Sequence, residues 1–320
     1  MILGLDIGGA NTKLASSTGT LAQSVYLPLW QGAPLGKVLQ SWAELDPQAV
    51  GVVMTGELAD CFPSKLAGIH SLVSLVKSAF SSPISFWGIN GFHWQEPSEL
   101  AGANWHASAT FLCREEGDGI FVDMGSTTTD LIPMVGKPLA AKSDYQRLAR
   151  GELVYTGLLR TSLSSILPEA IIRGESIPLS PELFAIAADA YLALGDISGD
   201  EYSCATPDGR GKSQKEALRR LARMVCSDLE EIGEDAALAI AAQARDRQLR
   251  MIVSASARLS TEHGLGRVMA AGVGEAVVAR AARLAGLSCC SLSQKYGAEI
   301  SNVFPAFAVA RLLETQNEDR

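Results

Sequence analysis

Two stretches decide how this chain reads: LDIGGANTK, Leu5 to Lys13, and VDMGSTTTD, Val122 to Asp130. Each is an apolar run that ends in Asp, turns through Gly, and continues into residues carrying hydroxyls or an amide. The run reads as a buried strand, and the glycine as a tight turn into a second, antiparallel strand. One such turn is an ordinary hairpin. Two copies, each opening a half of the chain, read as a duplicated unit with a cleft between the paired turns.

Working outward, Met1 to Ile7, TKLASST and LAQSVYLPL form a meander of strands. A helix (LGKVLQSWAEL), a strand (AVGVVMTG), a second helix (LAGIHSLVSLVKSAF) and a strand (ISFWGING) follow. Pro97 to Glu115 reads as one helix with a capping-type start. The pattern then restarts. DGIFVDMGS, TTDLIPMVG and KPLAAK read as strand, hairpin and strand, with Gly136 in the turn. Helical segments are expected near Leu183 to Leu194, Gln214 to Ile232 and Asp235 to Ser256. GRVMAAGVG is a strand entering a glycine turn, EAVVARAARLAG a helix, LSCCSL a strand, and Asn302 to Glu314 a last helix. The expected fold is α/β and two-lobed, a duplicated βββαβα unit around a central cleft. The first lobe takes residues 1–95 and 301–320, a connecting helix takes 96–118, and the second lobe takes 119–300 with a helical insertion.

At 320 residues the chain has room for two lobes with separate cores. A net charge of −8 excludes the basic face that nucleic-acid binding needs. Bound phosphate must therefore be held locally by amides, a metal ion or a few cations. No apolar run reaches the length of a membrane span, and the N-terminus has no charged region of the signal-peptide kind, so a cytoplasmic protein is expected. The six cysteines lack C-x-x-C spacing and read as reduced thiols. Cys289 and Cys290 are adjacent on a strand, which sends one thiol to each face.

In the first turn, Gly8 and Gly9 free backbone amides to face an anion, Asn11 and Thr12 add neutral donors, and Lys13 adds charge. Asp6 would repel phosphate directly, so its expected role is to hold Mg²⁺ through water. Asp123 is expected to do the same from the other side, with Gly125 making the turn and Ser126, Thr127 and Thr128 supplying hydroxyls and amides. Asp130 would order the hairpin. MAAGVGE, Met269 to Glu275, joins strand to helix through Gly272 and Gly274 and lets backbone approach a ligand closely, with Glu275 opening the helix. Glu57, after the strand VVMTGE, and His106, in GANWHAS, are the candidate bases. TPDGRGKS, Thr206 to Ser213, ends like a phosphate loop but lacks the first glycine and a preceding strand. It reads as a loop capping the helix near Ser213, or as a lid carrying Arg210 and Lys212.

The three glycine turns, in this order, resemble the actin, sugar-kinase and Hsp70 superfamily. They correspond there to a first phosphate loop, a second phosphate loop and an adenosine loop, and the implied fold is actin-like, with ribonuclease H-like halves. MILGLDIGGANTK, DMGSTTTDLIP and RLARGELVYTGLLRT resemble more narrowly its hydantoinase/oxoprolinase-related branch. Within that branch they are similar to a family linked to tetrahydromethanopterin-dependent one-carbon metabolism and to methanofuran or methylofuran biosynthesis. The resemblance implies a transferase that joins an (aminomethyl)furanyl-methyl diphosphate to the phenol oxygen of tyramine, glutamyl-tyramine or tyrosine, with Mg²⁺ as cofactor and pyrophosphate as leaving group. It also raises Arg150, Glu152 and Tyr155 to substrate contacts. Asn104 and Trp105, beside His106, are further candidates, although Trp105, on which a furan or phenol would stack, reads more often as core. The alternatives are an ATP-dependent small-molecule kinase, with Asp144 as a candidate base, and a nucleotide-sensing scaffold. A homodimer is the default expectation for either enzyme.

Overall fold

The computed structural model describes residues 1–318. The chain begins β1 (Ile2–Gly8), β2 (Asn11–Ser16), β3 (Ala22–Tyr26), α1 (Leu35–Ala43), β4 (Ala49–Thr55), α2 (Lys65–Ala79) and β5 (Ile84–Phe86). These strands form one sheet in the order β3-β2-β1-β4-β5, with β1 antiparallel to β2 and parallel to β4. β1 is a near-continuous apolar run because both of its faces are covered. After a short 3₁₀ turn at Pro97–Leu100, α3 (Asn104–Glu115) leads to β6 (Gly119–Met124) and β7 (Thr129–Met134).

The second half continues with α4 (Asp144–Ala149), β8 (Leu153–Val154), α5 (Leu163–Ile166), β9 (Glu169–Ile172), β10 (Glu175–Pro178) and α6 (Ala187–Leu194). It then runs through α7 (Gln214–Arg223), α8 (Leu229–Ile232), α9 (Glu234–His263), β11 (Arg267–Ala271), α10 (Glu275–Leu284) and β12 (Ser288–Ser291). The chain ends in α11 (Leu292–Tyr296), α12 (Ala298–Asn302) and α13 (Phe304–Glu318). The second sheet has the order β8-β7-β6-β11-β12, with β6 antiparallel to β7 and parallel to β11. Counted along the chain within each sheet, both run third, second, first, fourth, fifth. The fold is the expected α/β duplication.

α13 lies directly on the first sheet. A Cβ at Gly4 would stand 1.8 Å from the Ala306 carbonyl oxygen and one at Gly51 3.0 Å from that of Val309, so only glycine admits the helix this close. α3 packs beside α13 between the two sheets, where Trp105, Phe111, Phe121, Phe304 and Phe307 share one buried cluster. Phe111 meets Phe307 edge-on at 5.7 Å, the geometry that ring quadrupoles favour. A second core fills the space between the second sheet and the helices α6, α7 and α9.

Four elements depart from the sequence reading. The helix expected from Pro97 to Glu115 is broken where Gly102 takes φ +57, leaving α3 to start at Asn104. KPLAAK is not a strand but makes one isolated bridge, Met134 to Pro138, and the third strand is the two-residue β8. The helix expected from Gln214 to Ile232 stops at Arg223, just before Cys226 turns left-handed at φ 56. β9 and β10 form a small hairpin within the helical insertion that periodicity did not signal. All six cysteines are free, and Cys289 and Cys290 are both half-buried. No helix among the described residues is long and apolar enough to cross a membrane.

Candidate active site

The two Asp-Gly turns meet. Gly8 closes the first, where a Cβ would stand 2.7 Å from the Asn11 carbonyl oxygen, whereas Gly9 faces open space. The Leu29 amide donates to the Gly9 carbonyl at 2.9 Å, fixing the turn that carries Trp30 beside the loop. In the second turn, the Gly125 amide donates to Thr128 O at 2.9 Å. The segment after β8 backs this loop, with the amides of Leu158 and Arg160 donating to the carbonyls of Gly125 and Ser126. Gly157 is pressed so close that a Cβ there would lie 2.4 Å from the Thr127 nitrogen. Buried Gln248 holds that segment, donating to Thr156 Oγ1 at 2.6 Å and to Gly157 O at 2.8 Å. Across the cleft, Asn11 Nδ2 donates to Ser126 Oγ at 3.0 Å, so the two loops touch directly.

The glycine turn at Met269–Glu275 closes on the second loop. Gly272 has φ +87, and a Cβ there would come within 2.3 Å of Asp123 Oδ1; the Gly274 amide donates to Met124 O at 2.9 Å. Glu57 reaches the first loop by the neighbouring strand, because the Gly56 amide after β4 donates to Ile7 O at 3.0 Å. Gly68 of α2 packs against the Glu57 backbone.

Asp6, Glu57 and Asp123 are all buried, and each keeps one carboxylate oxygen without a hydrogen-bond partner, as does the Thr12 hydroxyl. Buried polar atoms are normally satisfied, so this set points to a missing ligand. Burial drives the three carboxyls above their ordinary range. Asp6 is raised by desolvation, with Lys13 opposing at 3.7 Å. Glu57 is pushed up to about 7 by desolvation, with Lys65 opposing weakly at 3.9 Å. Asp123 is pushed up to about 7 by desolvation, with Lys13 opposing and the charges of Asp130, Asp6 and Glu275 adding to the rise. Unpartnered carboxylate oxygens on facing loops are the donor type that Mg²⁺ prefers, and they fit a hydrated ion bound from both sides. Among the described residues no group of three or more His, Cys, Asp or Glu side chains is placed to hold a metal ion.

The other expected site residues scatter. Asp130 forms an ion pair with buried Arg147, which also reaches Asp144 at 3.0 Å and lies over the Trp105 ring at 4.6 Å. Trp105 is thus core, only 2% exposed, and the expectation that it contacts substrate is corrected: its ring is spent on Arg147 and the interlobe cluster. The Asn104 side chain accepts from the Trp105 amide at the start of α3. Glu152 is buried and accepts from the Ala141 amide at 2.7 Å, a brace for the β7–α4 connection. Arg150 and Tyr155 are exposed, and Arg150 offers its carbonyl to Arg258. Glu275 accepts from Ser293 and Ser301, which ties α10 to α11 and α12 and leaves its carboxylate occupied. His106 accepts from Trp87 Nε1 at 3.1 Å, and burial lowers its pKa to about 4. It is therefore a poor base and lines a separate cavity of about 370 Å³. In the 206–213 loop, Asp208 is held by Arg220 and Arg223, Lys212 lies 5.4 Å from the centre of the Tyr202 ring, and Ser213 caps α7.

Sequence reasoning passes over Arg160 and Trp30. Arg160 Nη1 donates to Thr127 Oγ1 at 3.1 Å, while its guanidinium stacks 4.5 Å above the Trp30 ring. Neither residue sits in a glycine turn; Arg160 lies near the end of the stretch RLARGELVYTGLLRT, but nothing local links it to Trp30.

The fold is thus two-lobed, with paired glycine turns that bring buried, unpartnered carboxylates together at one cleft. The chain belongs to the hydantoinase/oxoprolinase family, whose model matches residues 48–316. It is 37% identical, over 99% of its own length and 98% of the relative's, to a synthase from Methanocaldococcus jannaschii. That enzyme is named for a (furan-2-yl)methanamine bearing a 4-(2-γ-L-glutamylaminoethyl)phenoxymethyl group. A protein of the same name from Methanococcus vannielii is 35% identical over 62% of this chain and 91% of its own. Among solved structures, a ROK family glucokinase from Streptomyces griseus in complex with glucose and AMPPNP aligns with 97% of this chain and 98% of its own, at 15% identity and a TM-score of 0.49.

Proposed function

We propose that this chain is a transferase of furan-cofactor biosynthesis. It joins an (aminomethyl)furanyl-methyl diphosphate to the phenol oxygen of glutamyl-tyramine, tyramine or tyrosine and releases pyrophosphate. The observation that carries this reading is the full-length likeness, at 37% identity, to a synthase whose named product contains a phenoxymethyl-furan ether. The cleft suits the chemistry. The loops at Gly8–Thr12 and Gly125–Thr128 would present amides and hydroxyls to a charged tail from two sides, as a diphosphate leaving group requires.

In the reaction the bond between the furanyl methylene carbon and the diphosphate oxygen breaks, and its electron pair leaves with pyrophosphate. A lone pair of the phenol oxygen forms the new carbon–oxygen bond, and the phenol proton must go to a base. Glu57 is that base in our reading. It borders the first loop, has one unpartnered oxygen, and is raised to about 7, where a carboxylate accepts a proton near neutral pH. Asp6 and Asp123 would hold Mg²⁺, which supplies positive charge against the departing diphosphate. Lys13 opposes the rise that burial imposes on Asp6, and Asn11 with Ser126 keeps the loops in contact.

The test is incubation of purified protein and Mg²⁺ with the furanyl-methyl diphosphate and each of the three phenols. An ether product and pyrophosphate in equal amounts are expected. Formation of ADP from ATP and the furan alcohol, with nothing from the diphosphate, would replace the transferase with a kinase.

A further inference from the structure

The cations near the two phosphate loops are mostly spoken for. Lys13 faces Asp6 at 3.7 Å, Lys65 faces Glu57 at 3.9 Å, and Arg147 is buried between Asp130 and Asp144. Arg160 differs. It is half-buried, and among the described residues no carboxylate comes within ion-pair distance of it. Its backbone is bolted to the second loop through the Ser126 carbonyl, and its guanidinium touches the Thr127 hydroxyl of that loop. The guanidinium nevertheless rests on Trp30, whose turn is bolted to the first loop through Gly9. One uncompensated cation thus spans the mouth between the loops, held by an indole face and one hydroxyl.

Those contacts make a resting place. Stacking on an indole at a half-exposed site is weaker than charge-assisted bonds from a guanidinium fork to phosphate oxygens. We propose that Arg160 is the residue that grips the donor's diphosphate, leaving Trp30 for the phosphate oxygens when the cleft fills. Two features of the site need such a group. The loops contribute neutral donors, and the nearest acids would repel the tail unless countered. An arginine, always charged and able to bond two oxygens at once, meets that need from the rim without entering the buried acidic floor. The inference rests on the diphosphate reading above, and its test separates the two.

Inorganic pyrophosphate with Mg²⁺ is titrated into wild type, Arg160→Ala, Arg160→Lys and Trp30→Phe by calorimetry, with tryptophan emission followed in parallel. Arg160→Ala is expected to weaken binding roughly 10- to 100-fold, the effect of losing a hydrogen bond to a charged group. Arg160→Lys should recover part of it, because lysine keeps the charge but loses the fork. Emission should change as pyrophosphate enters wild type, and Trp30→Phe should abolish that change while the other four tryptophans remain. Folding is checked by circular dichroism, and Arg160→Lys serves if the alanine variant fails to fold. Wild-type affinity in Arg160→Ala, with only a shift in Tm, would make the residue a structural strut and overturn the proposal while leaving the transferase intact. If wild type binds ADP but not pyrophosphate, the transferase reading fails, and the same variants judge Arg160 against the diphosphate of ADP.

Discussion

The two phosphate loops are built to one plan and charged differently. In each, the acid at the strand end pairs across the hairpin with the residue seven positions on: Asp6 with Lys13, Asp123 with Asp130. In the first lobe that partner is a cation and relieves the buried acid. In the second it is another acid, whose own charge is absorbed by Arg147. Duplication has thus kept the backbone and divided the electrostatics. Burial raises both acids and Lys13 opposes the rise at each, but only the second hairpin sets another acid opposite its own. Both sides of the cleft therefore favour a positive ligand, metal or proton.

The largest effects should come from removing the acids. Asp123→Asn and Asp6→Asn should each lower turnover roughly 100- to 1,000-fold, the scale on which single preorganised electrostatic groups act, with the circular dichroism spectrum unchanged. Near-normal turnover at limiting Mg²⁺ in either variant would break the picture of a shared clamp. Smaller, and specific to the comparison, is the response to pH. Lys13→Met removes the first loop's relief, so the Asp6 pKa should climb further and the pH at which Mg²⁺ binds half-maximally should move up. If that midpoint stays where it was, Lys13 does not set the difference between the loops.

A third effect runs against activity. In the folded protein the pKa of Asp123 and of Glu57 lies near 7, above the ordinary 3.8 and 4.5. The native state therefore binds more protons than the unfolded chain between about pH 4 and 7, and each group's contribution to stability falls as pH rises through that window. Without metal, Asp123→Asn and Glu57→Gln should melt several degrees above wild type at pH 8, and the gain should vanish near pH 4. An equal Tm at pH 8 would contradict the burial of an unmet charge. Glu57→Gln should also flatten the rise in turnover through about pH 7 if Glu57 takes the phenol proton.

The smallest expected effects contrast the two turns as backbone. Gly8→Ala drives a Cβ to 2.7 Å from the Asn11 carbonyl oxygen, whereas at Gly125 the nearest atom, Thr128 O, lies at 3.6 Å. Thermal melts should show Gly8→Ala destabilised by about 1–3 kcal/mol and Gly125→Ala within about 0.5 kcal/mol of wild type. Equal losses would mean that the loops are held by something other than these approaches.

What could be read from the sequence follows from how local each signal is. The strand, acid and glycine of each loop are contiguous, so the duplicated halves and their facing turns were visible without coordinates. The helix break at Gly102 and the left-handed Cys226 were not, because periodicity continues through both. The roles of Trp105 and Glu152 depend on Arg147 and Ala141, partners that only tertiary packing supplies, so polar or aromatic character in a promising stretch was misleading there. Glu275 reads as the head of a ligand-facing helix and is instead consumed by two serines beyond β12. Arg160 and Trp30 lie in opposite lobes with nothing local to pair them.

The central claim is that both loops act together on one diphosphate. The most direct test is a crystal structure with Mn²⁺ in place of Mg²⁺ and with pyrophosphate, located by the anomalous signal of the metal. The account predicts a metal peak between Asp6 and Asp123, with pyrophosphate oxygens facing the amides of both turns. A pyrophosphate bound at one loop only, with the carboxylates of Asp6 and Asp123 still unpartnered, would contradict it.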